Sequence, residues 1–173
     1  MSNSFRSFRA GVVLCIGLAC VQPSGADEPK PASDVGGADA IFIQKVGQGG
    51  IAEVELSKIA EQKAKSSEIR NFAEHMVRDH TANNRELEKI ASGENIAMPQ
   101  YMDDEHNALR DKLTTLDGAS FDKAYVDAMR TDHQKMDDLL KKSSVDNEDL
   151  RAYIRKTTPV VEEHLRETSK LKQ

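Results

Sequence analysis

The sequence predicts an all-α protein in which four long helices form a bundle. Aromatic residues make up only 5% of the 173 residues and charged residues 31%, which is more typical of a helical protein than of a β-sandwich. Four stretches carry core-type residues at spacings of three and four, which is the stripe of a helix packed in a bundle. In addition, one pattern (aromatic, three residues, Met, two residues, Asp-His) occurs twice, at 72–80 and at 125–133.

Residues 1–26 have the layout of a secretory signal peptide. Two arginines precede an apolar run at 10–21, and small residues at 24–26 offer a cleavage site before Asp27. The run is shorter than the ~20 residues that a helix needs to cross a bilayer, so we expect no stable transmembrane span in the mature chain. The sequence therefore predicts a periplasmic or secreted protein, with lipid anchoring to the membrane through Cys20 as the alternative.

The mature chain is predicted to contain no cysteine, because Cys15 and Cys20 both lie in the signal segment. This excludes disulfides, thiolate ligands and a cysteine nucleophile. The net charge is −5 and the sequence has no Lys/Arg cluster, so it does not indicate a nucleic-acid-binding surface. Residues 27–38 are polar with two Pro and two Gly, which predicts a disordered linker and leaves 39–173 as the bundle domain.

The first helix is predicted at about 39–65 and the second at about 66–92, capped by Ser66. A gap of one or two residues makes them antiparallel neighbours. Gly49 and Gly50 each cost ~1 kcal/mol relative to Ala within a helix, so they predict close approach of a neighbour or a local bend. The two stripes are Phe42, Val46, Gly49, Glu53, Leu56, Ala60 and Ile69, Phe72, Met76, His80, Asn83, Leu87, Ile90.

Residues 93–118 form a long connection, with a short charged helix predicted at 101–116. One long crossover in the middle of a four-helix bundle is the ferritin-like arrangement. The third helix is predicted to start at Ser120 and the fourth at the cap Asp146, with a kink at Pro159. Their stripes are Phe121, Tyr125, Met129, His133, Met136, Leu140 and Leu150, Ile154, Thr157, Val161, His164, Thr168, Leu171.

Each stripe contains one residue that can bind a metal ion. These four residues, the polar layer, are Glu53, His80, His133 and His164. Each lies 14 residues along its helix when counted from positions 39, 66, 119 and 150, which are near the helix starts. At 1.5 Å per residue this is ~21 Å, near the middle of a helix of about 40 Å, so the four side chains should meet in the core.

A buried polar group without a partner costs ~1–3 kcal/mol, so the polar layer needs partners. A single Zn²⁺, Fe²⁺, Mn²⁺ or Cu²⁺ bound by three imidazoles and a carboxylate would satisfy it. Asp79 and Asp132, each next to a His, are predicted to assist as outer partners. In the alternative, the four residues bond one another or a buried water and only fix helix register. His75 and the acidic cluster at 103–106 are expected to be solvated.

The motifs at 72–80, 121–133 and 159–165, together with Glu53-Val54, closely resemble the bacterial exported proteins of the domain-of-unknown-function 4142 family. The resemblance covers about residues 38–171. It implies a ferritin-like fold and supports the four positions of the polar layer, and members often carry the label outer-membrane protein, but it implies no reaction. Ferritin-like di-iron sites use a Glu-x-x-His motif. No Glu stands three residues before any of the three histidines of the layer. A mononuclear site is therefore predicted.

Three functions remain open at the level of the sequence. The first is an exported bundle that binds one transition metal and serves in metal handling or stress protection rather than in fast catalysis. The second is a non-enzymatic structural or interaction module whose polar layer only fixes helix register. The third is a metal-dependent redox enzyme, which requires solvent access to the layer. The metal ion is the one partner that the sequence indicates; a homo-oligomer is compatible with it, and no protein partner is identified.

Overall fold

The structure, a computed structural model, describes residues 37–171, and within this range it contains five helices and no strand. The predicted signal segment and nearly all of the predicted linker lie outside the described residues. None of the five helices has the length and hydropathy of a membrane span. The all-α prediction is confirmed. The helices are α1 (Ala38–Lys63), α2 (Ser67–Gly93), α3 (Asp104–Thr114), α4 (Gly118–Lys142) and α5 (Glu148–Lys170).

The four long helices pack as two hairpins. The first hairpin pairs α1 with α2 and the second pairs α4 with α5, while α1 also contacts α4 and α2 contacts α5. The short helix α3 lies in the long connection and contacts α1 and α4. Each of the four long helices therefore has two long neighbours, and its stripe faces both.

The apolar core consists of two clusters separated by the polar layer. On α1, Phe42 and Val46 belong to one cluster and Leu56 and Ala60 to the other, with Glu53 between them. The helices α2 and α4 meet the two clusters in the reverse order, each with its histidine between them. Burying a large apolar side chain contributes ~1.5–3 kcal/mol to folding. The two clusters therefore offset the free-energy cost of burying the polar layer.

Some predicted helix ends are confirmed and others are wrong. Ser66 caps α2, and its hydroxyl accepts a hydrogen bond from the backbone N–H of Ile69. However, α4 begins at Gly118, two residues before Ser120. Asn147 rather than Asp146 caps α5, because its side chain accepts a bond from the N–H of Leu150 at 3.0 Å while its amide donates to Glu94. An asparagine can do both at once, whereas a carboxylate can only accept.

Two aspartates join the hairpins at opposite ends. Asp39, in the first turn of α1, accepts bonds from the backbone N–H groups of Asp146 and Asn147 at 2.8 and 3.1 Å. Asp122 accepts bonds from the N–H groups of residues 65 and 66 at 2.8 and 2.9 Å. Each hairpin turn is thus held by a carboxylate from the start of the other hairpin. The two joints fix the relative levels of the helices and so align the polar layer.

The close approach predicted at the glycines of α1 is confirmed. A Cβ at Gly50 would lie 2.1 Å from the side-chain oxygen of Asn84 on α2. A Cβ at Gly47 would lie 2.7 Å from the ring of Pro99 in the long connection. The helix α5 continues without a break through Pro159, and the bend predicted there stays a prediction.

Candidate metal centre

The structure brings all four residues of the polar layer together in the core. Glu53 on α1, His80 on α2, His133 on α4 and His164 on α5 are exposed by 1%, 4%, 0% and 3%. Along its helix, each of these residues lies between the two apolar clusters. Its side chain points into the core because the residues of a stripe recur on the same face of the helix. The local pattern and the aligned hairpins together place the site.

The three imidazoles form a compact triangle. Their ring centroids are 5.5 Å apart for His80 and His133, 5.3 Å for His80 and His164, and 5.3 Å for His133 and His164. One nitrogen of each ring lies within 4.8 Å of one nitrogen of each of the others. This spacing allows all three rings to contact a single ion.

Hydrogen bonds to groups outside the triangle fix the orientation of two of the rings. His133 donates its Nδ1–H to the carbonyl oxygen of Met129 at 2.8 Å, and His164 donates its Nε2–H to Asp79 Oδ2 at 3.1 Å. A neutral imidazole carries one N–H, so His133 Nε2 and His164 Nδ1 are both left as lone pairs. These two nitrogens face each other at 3.3 Å. Two lone pairs at that distance repel unless a cation lies between them.

The third ring and the carboxylate form the other half of the layer. Glu53 Oε2 lies 3.0 Å from His80 Nδ1, and Glu53 Oε1 lies 3.3 Å from His133 Nδ1. Neither carboxylate oxygen has an aligned hydrogen bond, and His80 Nε2 is buried with no hydrogen-bond partner among the described residues. Glu53 therefore lies on the Nδ1 side of both rings, and His80 has its Nε2 available.

Charge in this layer is shared between one acid and one base. Burial alone would raise the pKa of Glu53, but the imidazoles of His80 and His133 outweigh it and lower that pKa to about 2. Burial would lower the pKa of His80, but the Glu53 carboxylate outweighs it and raises that pKa. Burial dominates at the other two rings, lowering the pKa of His133 and, with the neighbouring imidazoles, that of His164 to about 4. These pKa shifts favour a carboxylate at Glu53, a protonated ring at His80 and neutral rings at His133 and His164.

The two aspartates predicted as outer partners have different positions. Asp79 contacts a histidine of the layer, but it is His164 on α5 rather than the adjacent His80. Asp132 instead faces His106, whose Nε2 lies 3.7 Å from Asp132 Oδ2. Neighbours on a helix point about 100° apart, so a residue beside a ligand is directed to a different helix.

The prediction that His106 is solvated is wrong, because His106 is only 9% exposed. Asp103 caps α3 through the backbone N–H of His106 at 2.9 Å and also contacts His106 Nδ1 at 2.8 Å. The neighbouring carboxylate of Asp132 is the largest cause of a pKa of about 9 at His106, and burial, which would lower that pKa, is outweighed. In the sequence, the Asp-x-x-His spacing at the start of α3 could have indicated the contact between Asp103 and His106.

The contribution of His106 to stability should depend on pH. Because its folded-state pKa is raised from 6.5 to about 9, its ion pairs stabilise the fold fully below pH 6.5 and are lost as pH rises through 9. We expect His106→Gln to lower the free energy of unfolding by roughly 2 kcal/mol near pH 6, less than the shift alone gives because the pair is partly exposed to water. Urea unfolding of both proteins at pH 6 and 9.5 measures this. A difference that is as large at pH 9.5 would contradict it.

Solved structures with a similar fold belong to DUF305 proteins. A DUF305 fragment from Deinococcus radiodurans superposes with a TM-score of 0.70 at 13% sequence identity, covering 77% of this chain and 93% of that chain. A DUF305 protein from Streptomyces coelicolor superposes with a TM-score of 0.65 at 19% identity, covering 79% and 93%. At these identities the likeness shows the fold alone.

Sequence comparison identifies the family. No curated protein shows a significant match to this chain. The family described as "Domain of unknown function (DUF4142)" matches residues 23–171, which include all five helices and the whole polar layer. The match confirms the resemblance noted from the motifs. The chain therefore belongs to the DUF4142 family.

Proposed function

We propose that this protein binds one divalent transition metal ion (Zn²⁺, Fe²⁺, Mn²⁺ or Cu²⁺) through His80, His133 and His164, and that it serves in metal handling or stress protection. The four long helices act as a ferritin-like four-helix bundle around the ion. Glu53, predicted from the sequence as a fourth ligand, holds His80 and His133 from their outer side, and Asp79 does the same for His164.

One observation carries this proposal. His133 Nε2 and His164 Nδ1 face each other at 3.3 Å while both outer nitrogens donate hydrogen bonds. Nitrogens bound at ~2.0–2.1 Å to one tetrahedral zinc ion are separated by about 3.3 Å, so the spacing suits a shared ion. Ligating histidines typically donate their other N–H to a carboxylate or a carbonyl, as Asp79 Oδ2 and Met129 O accept here.

The register-layer alternative accounts less well for the same atoms. A layer that only fixed helix register would be expected to pair its buried polar atoms with one another. Instead, His80 Nε2 is buried with no hydrogen-bond partner among the described residues, while Glu53 contacts this ring only on its Nδ1 side. A buried nitrogen left in this way costs free energy, and a bound cation would relieve that cost.

Metal content tests the proposal directly. We expect the mature protein, untagged and purified without chelator, to contain close to one equivalent of one transition metal by elemental analysis. The double variant His80→Ala/His133→Ala should contain none, whereas His75→Ala, a change at an exposed histidine of α2, should match the wild type. Two equivalents of iron would contradict the mononuclear site. A wild-type protein that folds and binds no added metal would favour the register layer.

We also propose that residues 1–26 direct export to the periplasm or the medium. The proposal is supported by the two arginines, the apolar run and the small residues before Asp27. N-terminal sequencing of the material used for metal analysis should begin at Asp27. A blocked chain that starts at Cys20 and partitions with membranes would show lipid anchoring instead.

A further inference from the structure

A cavity of about 400 Å³ lies between α1, α4 and the first turn of α3. Its wall includes four carboxylates, of which three belong to residues at its α3 and α4 side. None of the three histidines of the polar layer lines it, but Glu53 does. The ionisable residues of the cavity wall are Lys45, Glu53, Asp103, Glu105, His106, Asp132 and Lys135.

Glu53 is the most deeply buried residue of the cavity wall. This side chain is 1% exposed, and both its oxygens lack an aligned hydrogen bond. The same oxygens lie 3.0 and 3.3 Å from the Nδ1 atoms of His80 and His133. Glu53 is therefore the point at which the cavity and the polar layer meet.

Asp132 provides a second carboxylate along the same wall. Its Oδ2 atom is buried and has no aligned hydrogen bond, with His106 Nε2 at 3.7 Å. Asp132 directly precedes His133 on α4, so one helix carries a carboxylate of the cavity and an imidazole of the layer side by side. A cation that entered the cavity would meet first the carboxylate of Asp132, whose other oxygen lies 3.9 Å from Lys135 Nζ, and then that of Glu53.

The first turn of α3 covers this cavity. Two ion pairs connect it to α4: Glu105 with Lys135 at 2.8 Å, and His106 with Asp132. Of its own side chains, α3 buries only His106 and Leu113. A short helix with so few buried groups belongs to the part of a fold that opens at low free-energy cost.

We propose that this cavity is the loading port of the core metal site, for a hydrated divalent cation. The ion enters beneath the first turn of α3 and exchanges water for the carboxylate oxygens of Asp132 and then Glu53. It then passes the rings of His80 and His133, whose Nδ1 sides face Glu53, to reach the centre of the triangle. This inference rests on the proposed metal binding. It assigns Asp132 and Glu53 a role in the rate of exchange.

The rates of metal uptake and release test the port. Stopped-flow mixing of the metal-free mature protein with Co²⁺, followed by absorbance, gives uptake, and mixing of the Co²⁺ form with excess chelator gives release. Asp132→Asn removes one carboxylate charge from the cavity. We expect both rates to fall by about tenfold, because a charged cleft speeds entry of an opposite charge by a factor of 10–10³, with the equilibrium affinity changed by less than about threefold.

Two further variants make the result decisive. Asp138→Asn removes the same charge at an exposed site on α4, where Asp138 pairs with Lys142, and should exchange metal at the wild-type rate. Gly49→Leu fills the cavity from α1: its Cβ would lie 2.9 Å from the flexible end of Met136, so the fold should tolerate it, and both rates should fall.

The outcomes separate the two proposals. Wild-type rates in both Asp132→Asn and Gly49→Leu, with one Co²⁺ still bound, would overturn the port and leave the metal site intact. A wild-type protein that binds no Co²⁺, Zn²⁺, Fe²⁺, Mn²⁺ or Cu²⁺ would overturn both. Slow exchange in both variants, with normal stoichiometry and a normal Asp138→Asn control, supports the port.

Discussion

Substituting Ala for His133 should remove the stabilisation that a bound metal gives to the fold. A ligand that binds only the folded state adds about 2.7 kcal/mol to the free energy of unfolding when its free concentration is 100 times Kd. His133 is fully buried at one corner of the triangle, and its Nε2 faces His164 Nδ1 at 3.3 Å. Without this nitrogen the ion loses one of three proposed ligands, so we expect little added stability in the variant.

Urea unfolding of wild type and variant, each with buffered Zn²⁺ and each with chelator, measures this effect. Comparing each protein with its own metal-free form removes the loss of packing that the truncation itself causes. His75→Ala is the matched control, because His75 is exposed on α2 and should leave the full gain in place. An equal gain from Zn²⁺ in His133→Ala would place the metal elsewhere on the protein.

Substituting Gln for Glu53 should destabilise the metal-free protein by about 3–5 kcal/mol, which is the usual effect of breaking a buried ion pair. The Glu53 carboxylate is the group that raises the pKa of His80, and His80 is 4% exposed. Without the carboxylate, the ring must either remain charged without a partner or lose its proton, and both reduce stability. The same change to Glu55, an exposed residue on α1, should have almost no effect.

The metal affinity of Glu53→Gln tests the outer role of this residue. Replacing a group that holds a ligating histidine from outside typically weakens metal binding by ~10–100-fold and leaves the stoichiometry unchanged. Isothermal titration of both proteins with Zn²⁺ measures the affinity and the stoichiometry together. Loss of the bound equivalent in Glu53→Gln would show that Glu53 is itself a ligand, as the sequence alone had suggested.

The periodic features of the sequence were sufficient for the all-α fold and for the level of the site. Apolar residues at spacings of three and four determine which face of a helix is buried, and this is a local property. Every member of the α4 stripe, from Phe121 to Leu140, is buried as predicted. The repeated Asp-His pattern likewise predicted two histidines in equivalent settings, and both lie in the same layer.

Contacts between helices were beyond the reach of this reasoning. Asp39 and Asp122 have the residue type and position of ordinary helix-start residues, yet each binds the turn of the opposite hairpin. Nothing local distinguishes a carboxylate that caps its own helix from one that reaches another helix. The same reason explains His106, whose burial depends on how α3 packs against α1 and α4.

The sequence by itself determined the helical stripes, the close approach at the glycines of α1 and the four residues of the polar layer. Only the tertiary structure decided which nitrogen each ring presents, that Asp79 holds His164 rather than His80, and that Asp132 and Glu53 line the same cavity. The physical reason is that helical periodicity determines only the face of the helix on which a side chain lies. Partners at about 3 Å depend on the rotation and level of a neighbouring helix, which no single stretch of sequence specifies.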